Sequence, residues 1–129
     1  MEKKTGAKGY KKRIGKAGEK VARLFLEQEC GWKIIEQNFS CSLGEIDLVA
    51  QDGSTVVFVE VRSTGTANFD LVEESINWQK QKKIKQLALF YLKKQKNLAV
   101  LSSRFDVLLV QINPETMEKQ RIHWIKDAF

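Results

Sequence analysis

The stretch at 55–62, T-V-V-F-V-E-V-R, constrains the fold most, because it is apolar on both faces that a β-strand presents. Val57, Val59 and Val61 point one way; Val56, Phe58, Glu60 and Arg62 point the other. Such a strand belongs at the centre of a sheet that is covered on both sides. Immediately upstream, 44–52 reads G-E-I-D-L-V-A-Q-D, a second apolar run. Asp52-Gly53 between them is the two-residue turn preferred by tightly paired antiparallel strands.

The rest of the chain supplies the covering layers. Ala17, Val21, Leu24 and Phe25 recur at helical spacing from about Ile14, and Gly31 is a good helix stop. Residues 32–42 read as a strand and 63–75 as a loop. A second helix, from Asn77 or Trp78 to about Gln95, carries the apolar stripe Ile84, Leu87, Ala88 and Tyr91. Residues 104–112 form another strong strand, and 120–125 an edge strand. This order predicts an α/β domain over 14–129, with a central mixed β-sheet flanked by helices. Residues 1–13 are Lys- and Gly-rich and read as a flexible basic arm.

Within the hairpin, two acids interrupt apolar runs. Asp47 lies among Ile46, Leu48, Val49 and Ala50, and Glu60 among Val57, Phe58, Val59 and Val61. A carboxylate inside a buried strand is costly unless a cation satisfies it. Thirteen residues and one tight turn separate the two, so both can reach one ion. Mg²⁺ (or Mn²⁺) favours one or two carboxylates, with waters and phosphate oxygens completing its shell. Glu19, at the border of the first helix's apolar face, is a candidate third ligand, although a surface role is the commoner fate of such a residue. Arg62 leaves the same strand face as Glu60. Lys80 falls one turn before Ile84 and should point toward the sheet, either as part of the site or as a stem covering the core.

Charge is segregated. The first twenty residues hold eight Lys/Arg and two Glu, residues 24–74 hold ten acids against Lys33 and Arg62, and residues 75–105 hold eight Lys/Arg and no acid. An acidic centre between basic flanks suits joint binding of a metal and a polyanion, with Lys11, Lys12, Arg13, Lys16, Lys80, Lys82 and Lys83 as nucleic-acid contacts. Tyr10, Trp32 and Trp78 can stack on bases, but isolated aromatics more often pack. The alternative is a solvated helix face plus a disordered tail. Cys30 and Cys41 have no ligand-like spacing, His123 is the single histidine, and no apolar run reaches the roughly 18 residues of a membrane helix. A cytoplasmic protein with no membrane association is expected. Asp106, in R-F-D-V, is expected to pair with Arg104 or another base and not to bind metal.

The segments G-K-A-G-E at 15–19, Asn38-Phe39, G-E-I-D-L-V-A at 44–50, V-F-V-E-V-R at 57–62 and R-F-D-V at 104–107 resemble the YraN-type family of uncharacterised, endonuclease-like bacterial proteins. The resemblance runs from about Ile14 to Ile112. It implies a restriction-endonuclease-like three-layer sandwich of the PD-(D/E)XK kind, most similar to Holliday junction resolvases. By position, Asp47 matches the motif aspartate, Glu60 the motif acid, Glu19 the acid of the first helix, and Arg62 stands where the motif has lysine. Arginine keeps its charge under ordinary conditions, so Arg62 is suited to clamping a phosphate and not to acting as a base. The implied function is a Mg²⁺-dependent endonuclease, or a structure-selective DNA-binding protein, acting on branched or single-stranded DNA. The competing readings are a non-catalytic nucleic-acid-binding module on a nuclease fold, and an adaptor whose acids merely pair with Arg62 and Lys80. A homodimer would suit a two-fold symmetric junction.

Overall fold

The computed structural model describes residues 2–66 and 68–129. Five strands form one sheet in the order β1-β2-β3-β4-β5: β1 Lys33–Cys41, β2 Gly44–Asp52, β3 Thr55–Thr64, β4 Ser102–Ile112 and β5 Lys119–Ile125. Neighbours pair antiparallel except β3 and β4, which are parallel. The parallel pair requires a crossover, and the chain makes it through three helices: α2 Phe69–Glu74, α3 Trp78–Lys94 and α4 Lys96–Ala99. The first helix, α1 Glu2–Leu24, runs into a π-helical turn, Phe25–Glu29, where the Cys30 amide donates to the Phe25 carbonyl at 3.1 Å. Residues 2–13, expected as an arm, continue α1 toward its N-terminus.

The sheet is central, as its apolar pattern requires. On one face, Leu48, Ala50, Val57, Val59, Leu108 and Val110 pack against Ile14, Ala22 and Leu26 of the first helix and its π-turn. On the other, Ile46, Val49, Val56 and Phe58 meet Leu87, Ala88 and Tyr91 of α3. Phe69 and Ile76 extend that second layer over Val107 and Leu109. The result is a three-layer α/β/α sandwich. Among the described residues no helix is long and apolar enough to cross a membrane.

Two sequence expectations are corrected. The span 63–75 is no plain loop: β3 runs on to Thr64 and α2 occupies the second half. With six residues α2 is too short for a helical period to show. The hairpin turn is also displaced. Asp52 is the last paired residue, opposite Thr55, and the two turn residues are Gly53 and Ser54. Gly53 takes φ +61°, where a residue without Cβ is least strained.

Asp106 behaves as expected of a structural acid. It is 1% exposed and accepts from Arg104 Nε (3.0 Å), Trp124 Nε1 (3.0 Å) and the Asp127 amide (2.9 Å). It thereby ties β4 to β5 and to the C-terminal turn. His123 is exposed and stacks on Phe69, with ring centroids 6.3 Å apart.

Candidate active site

The site lies where the β2–β3 hairpin opens. Backbone pairing runs from Asp52↔Thr55 to Leu48↔Val59 and ends there. Asp47 and Glu60 are the residues that follow this last pair on the two strands. Here a side chain takes over from the ladder: the Val61 amide donates to Asp47 Oδ2 at 2.8 Å. On the other flank, Asn38 of β1 sits across from Asp47, between the pairs Gln37↔Leu48 and Phe39↔Ile46. Its φ of +53° is one that asparagine tolerates better than most residues. Its Nδ2 donates to Glu19 Oε1 at 3.3 Å, which ties the acid of α1 to the sheet.

Gly18 explains why α1 can bring Glu19 so close. A Cβ at position 18 would overlap Ser63 Oγ and stand 2.7 Å from Ser63 Cβ, so only glycine lets the helix backbone lie on the end of β3. The cavity left between them, of about 520 Å³, is walled by Glu19, Asp47 and Arg62, with Tyr10 and Lys11 from α1 and Thr64 from the end of β3. Glu60, 6% exposed, is not among the residues that wall it.

Both central acids resist ionisation. The Asp47 carboxyl is pushed up to about 8, first because burial strips its water and then because the Glu60 carboxylate is close; the Val61 amide pulls the other way. Glu60 is also raised, again mainly by burial, against the opposing pull of Arg62, Lys80 and a hydrogen bond with Asp47. A half-buried Asp47 and a buried Glu60 in mutual reach, each held away from its charged form, are what a hard divalent cation would relieve. Asp47 and Glu60 therefore fit such an ion by donor type. Among the described residues, no three His, Cys, Asp or Glu side chains converge closely enough to cage a metal. Glu19 stands in the same cavity wall as Asp47 and is near enough to raise it.

Arg62 is a competitor for Glu60. Its Nη2 lies 3.0 Å from Glu60 Oε2, while its Nε is buried without an acceptor. A phosphate oxygen entering the cavity would supply that acceptor. Lys80 is exposed, in the first turn of α3, and its charge reaches Glu60. Lys82 and Lys83 are exposed on the same helix; Lys11, Lys12, Arg13 and Lys16 are exposed on α1. The fold thus sets two basic helices, distant in sequence, on opposite layers beside one pair of acids.

Sequence reasoning singled out neither Glu45 nor Asn38 for a role. Glu45, exposed two residues before Asp47, raises both central acids. The Gly-Glu-Ile-Asp string was a signal for Glu45; nothing in the sequence marks Asn38 as the tether of Glu19.

Comparison with known proteins places this geometry in a family. The model of an uncharacterised protein family, UPF0102, matches residues 18–110, which include Glu19, Asp47, Glu60, Arg62 and Lys80. A UPF0102 protein of Syntrophus aciditrophicus is 45% identical over 117 residues, covering 91% of this chain and 88% of its own. One from Caldanaerobacter subterraneus subsp. tengcongensis is 40% identical, covering 92% and 96%. Another, from Aliivibrio fischeri, is 38% identical over 129 residues, covering 99% and 97%. The chain belongs to UPF0102, the YraN-type family.

Proposed function

We propose that the protein is a metal-dependent endonuclease acting on branched or single-stranded DNA, built on a restriction-endonuclease-like fold. The observation that carries this reading is that Asp47 and Glu60 follow the last β2–β3 pair, where the Val61 amide donates to Asp47 Oδ2, and that Asp47 and Arg62 wall one cavity. Asp47 and Glu60 would hold Mg²⁺ or Mn²⁺, with Glu19 as an outer acid. When bound, the ion would supply charge neutralisation at the phosphodiester and lower the pKa of a water. The remaining work belongs to the chain's own groups. The Val61 amide fixes the Asp47 carboxylate. Arg62, always cationic, turns its guanidinium from Glu60 to the phosphate. Lys80 neutralises charge at the α3 side of the site. Lys11, Lys12, Arg13, Lys16, Lys82 and Lys83 hold the backbone of the strand on either side, without reading its sequence.

The Arg62–Glu60 ion pair favours a second reading, a DNA-binding module that no longer cleaves, because the guanidinium occupies the carboxylate that the ion needs. Cleavage of branched and single-stranded DNA with Mg²⁺ or Mn²⁺ separates the two. Under the first reading the wild type cuts, and Asp47→Ala and Glu60→Ala each abolish cutting. Unchanged cutting in both variants would remove this site from the reaction. A wild type that binds but never cuts, with Asp47→Ala binding as tightly or more tightly, selects the second reading.

A further inference from the structure

We propose that Trp78 is a stacking platform for an unpaired nucleobase, so that the site selects DNA with a single-stranded segment beside the bound phosphate over an intact duplex. This deepens the DNA-directed reading above and rests on it. Trp78 is the first residue of α3 and is 69% exposed, the most exposed aromatic among the described residues. Of the other two stacking candidates, Trp32 packs in the core, and Tyr10, 36% exposed, stands in the cavity wall. Trp32 is buried and meets Trp124 edge to face at 5.5 Å. The Tyr10 hydroxyl is packed onto Gly65, where a Cβ would overlap it.

The surroundings of Trp78 suit a nucleotide. The Lys82 amine lies 5.3 Å from the indole centroid, one helical turn on, so an aromatic plate and a cation share the outward side of α3. From Trp78 to Lys94 the helix carries six lysines and no acid. Lysines in its first turn oppose the positive end of the helix dipole, so helix stability does not account for them. Lys80, between Trp78 and Lys82 in sequence, is exposed with its charge felt at Glu60, and Lys83 lies against the start of β2 at Gly44. A strand whose phosphate sits by Glu60 therefore has to travel on the order of 10 Å, the width of one helix, to lay a base on the indole. Every base has a π-face, so such stacking is indifferent to sequence. A duplex keeps its bases stacked inside and offers this surface only its backbone.

The test is fluorescence anisotropy in EDTA, which reads binding without cleavage. It uses a labelled oligothymidylate, a forked duplex and a blunt duplex of matched length. Trp78→Ala should weaken binding to the single strand and the fork by about 5- to 100-fold, the range of one lost stacking contact. Blunt-duplex affinity should stay within about twofold, and Trp78→Phe should restore most of the loss. Tryptophan emission should be quenched by the single strand in the wild type and not in Trp78→Phe, which retains Trp32 and Trp124. Because the indole is exposed, the variants should melt as the wild type does. Equal losses on all three DNAs, or no loss on any, overturns the platform and leaves the DNA-directed reading standing. Failure of the wild type to bind any of the three at low salt removes both. Self-association of the wild type that Trp78→Ala abolishes, with DNA affinity unchanged, overturns the platform in favour of a protein contact.

Discussion

Asp47 concentrates the energetic cost of the site, because burial and a neighbouring acid push its carboxyl in the same direction. Its folded pKa lies near 8, well above the value of about 3.9 for an unfolded aspartate. The folded state thus holds a proton that the unfolded state has released, and stability falls as pH rises between these values. Asp47→Asn should match the wild type near pH 4 and melt at a progressively higher temperature than it toward pH 8. Even one unit of the upshift corresponds to about 1.4 kcal/mol. Thermal scans across that range check this; parallel melting curves for the two proteins would contradict it. In the wild type alone, millimolar Mn²⁺ at pH 8 should recover part of the difference. Asp106 is the opposite kind of buried acid. It is satisfied by the Arg104 guanidinium, an indole N–H and a main-chain amide. Asp106→Ala leaves those donors unpaired and should cost about 2–4 kcal/mol, read as a lower urea midpoint. Of the two acids that interrupt strands outside the Glu60 segment, the sequence marked both as unusual, and R-F-D-V offered Arg104 among the bases that could pair with Asp106. It could not show that Asp47 stays uncompensated, because that depends on where Arg62 points, and Arg62 faces Glu60.

For the secondary elements, the decisive contact is that of α1 on β3. Replacing glycine by alanine inside a helix ordinarily stabilises by about 1 kcal/mol. At position 18 the sign should reverse, because the new methyl meets Ser63. Gly18→Ala is expected to destabilise by about 1–3 kcal/mol, and Ser63→Gly in the same chain to recover much of it. Denaturant titration of the single and double variants gives the coupling; additive effects would show that helix and strand do not touch as described. The long elements were legible because each shows its period over enough residues: α3 is 17 residues long and β4 is 11. The crossover helix α2 was not. Six residues hold less than two helical turns, and Phe69 and Val72 are fixed by packing against β4 and the C-terminal segment.

Over the whole molecule, the segregated charge acquires a geometry. The basic runs of α1 and α3 lie in different layers and approach the acids from two sides. If DNA is held there, its affinity should fall steeply with salt, by about 0.9 log units per log unit for each neutralised phosphate. Changing Lys80, Lys82 and Lys83 together to Gln should flatten that slope by roughly two to three. An unchanged slope would place the polyanion elsewhere. The chain's net charge of +6 speaks only for attraction at a distance; the placement of the lysines gives it a direction.

The sequence by itself determined the α/β class, the central position of β3, the two main helices and the identity of the unusual acids. Each follows from local periodicity or from the cost of burying charge, and both are properties of neighbouring residues. Only the tertiary structure decided the register. The Asp52-Gly53 turn read from the sequence would have set Gln51 opposite Ser54 and carried Asp47 opposite Phe58. With the turn at Gly53-Ser54, Asp52 pairs with Thr55 and Leu48 with Val59, so the ladder ends just before Asp47 and Glu60. A displacement of one residue at a turn moves every later cross-strand pair, and side-chain packing on both faces of the sheet selects among the registers. The same packing brought Glu19 to the site through Gly18 and Asn38, and set Arg62 on Glu60. The Asn38–Glu19 and Gly18–Ser63 contacts join residues 19 and 45 positions apart, where no sequence period reaches. The strand period puts Arg62 and Glu60 on one face, and only the structure shows them paired.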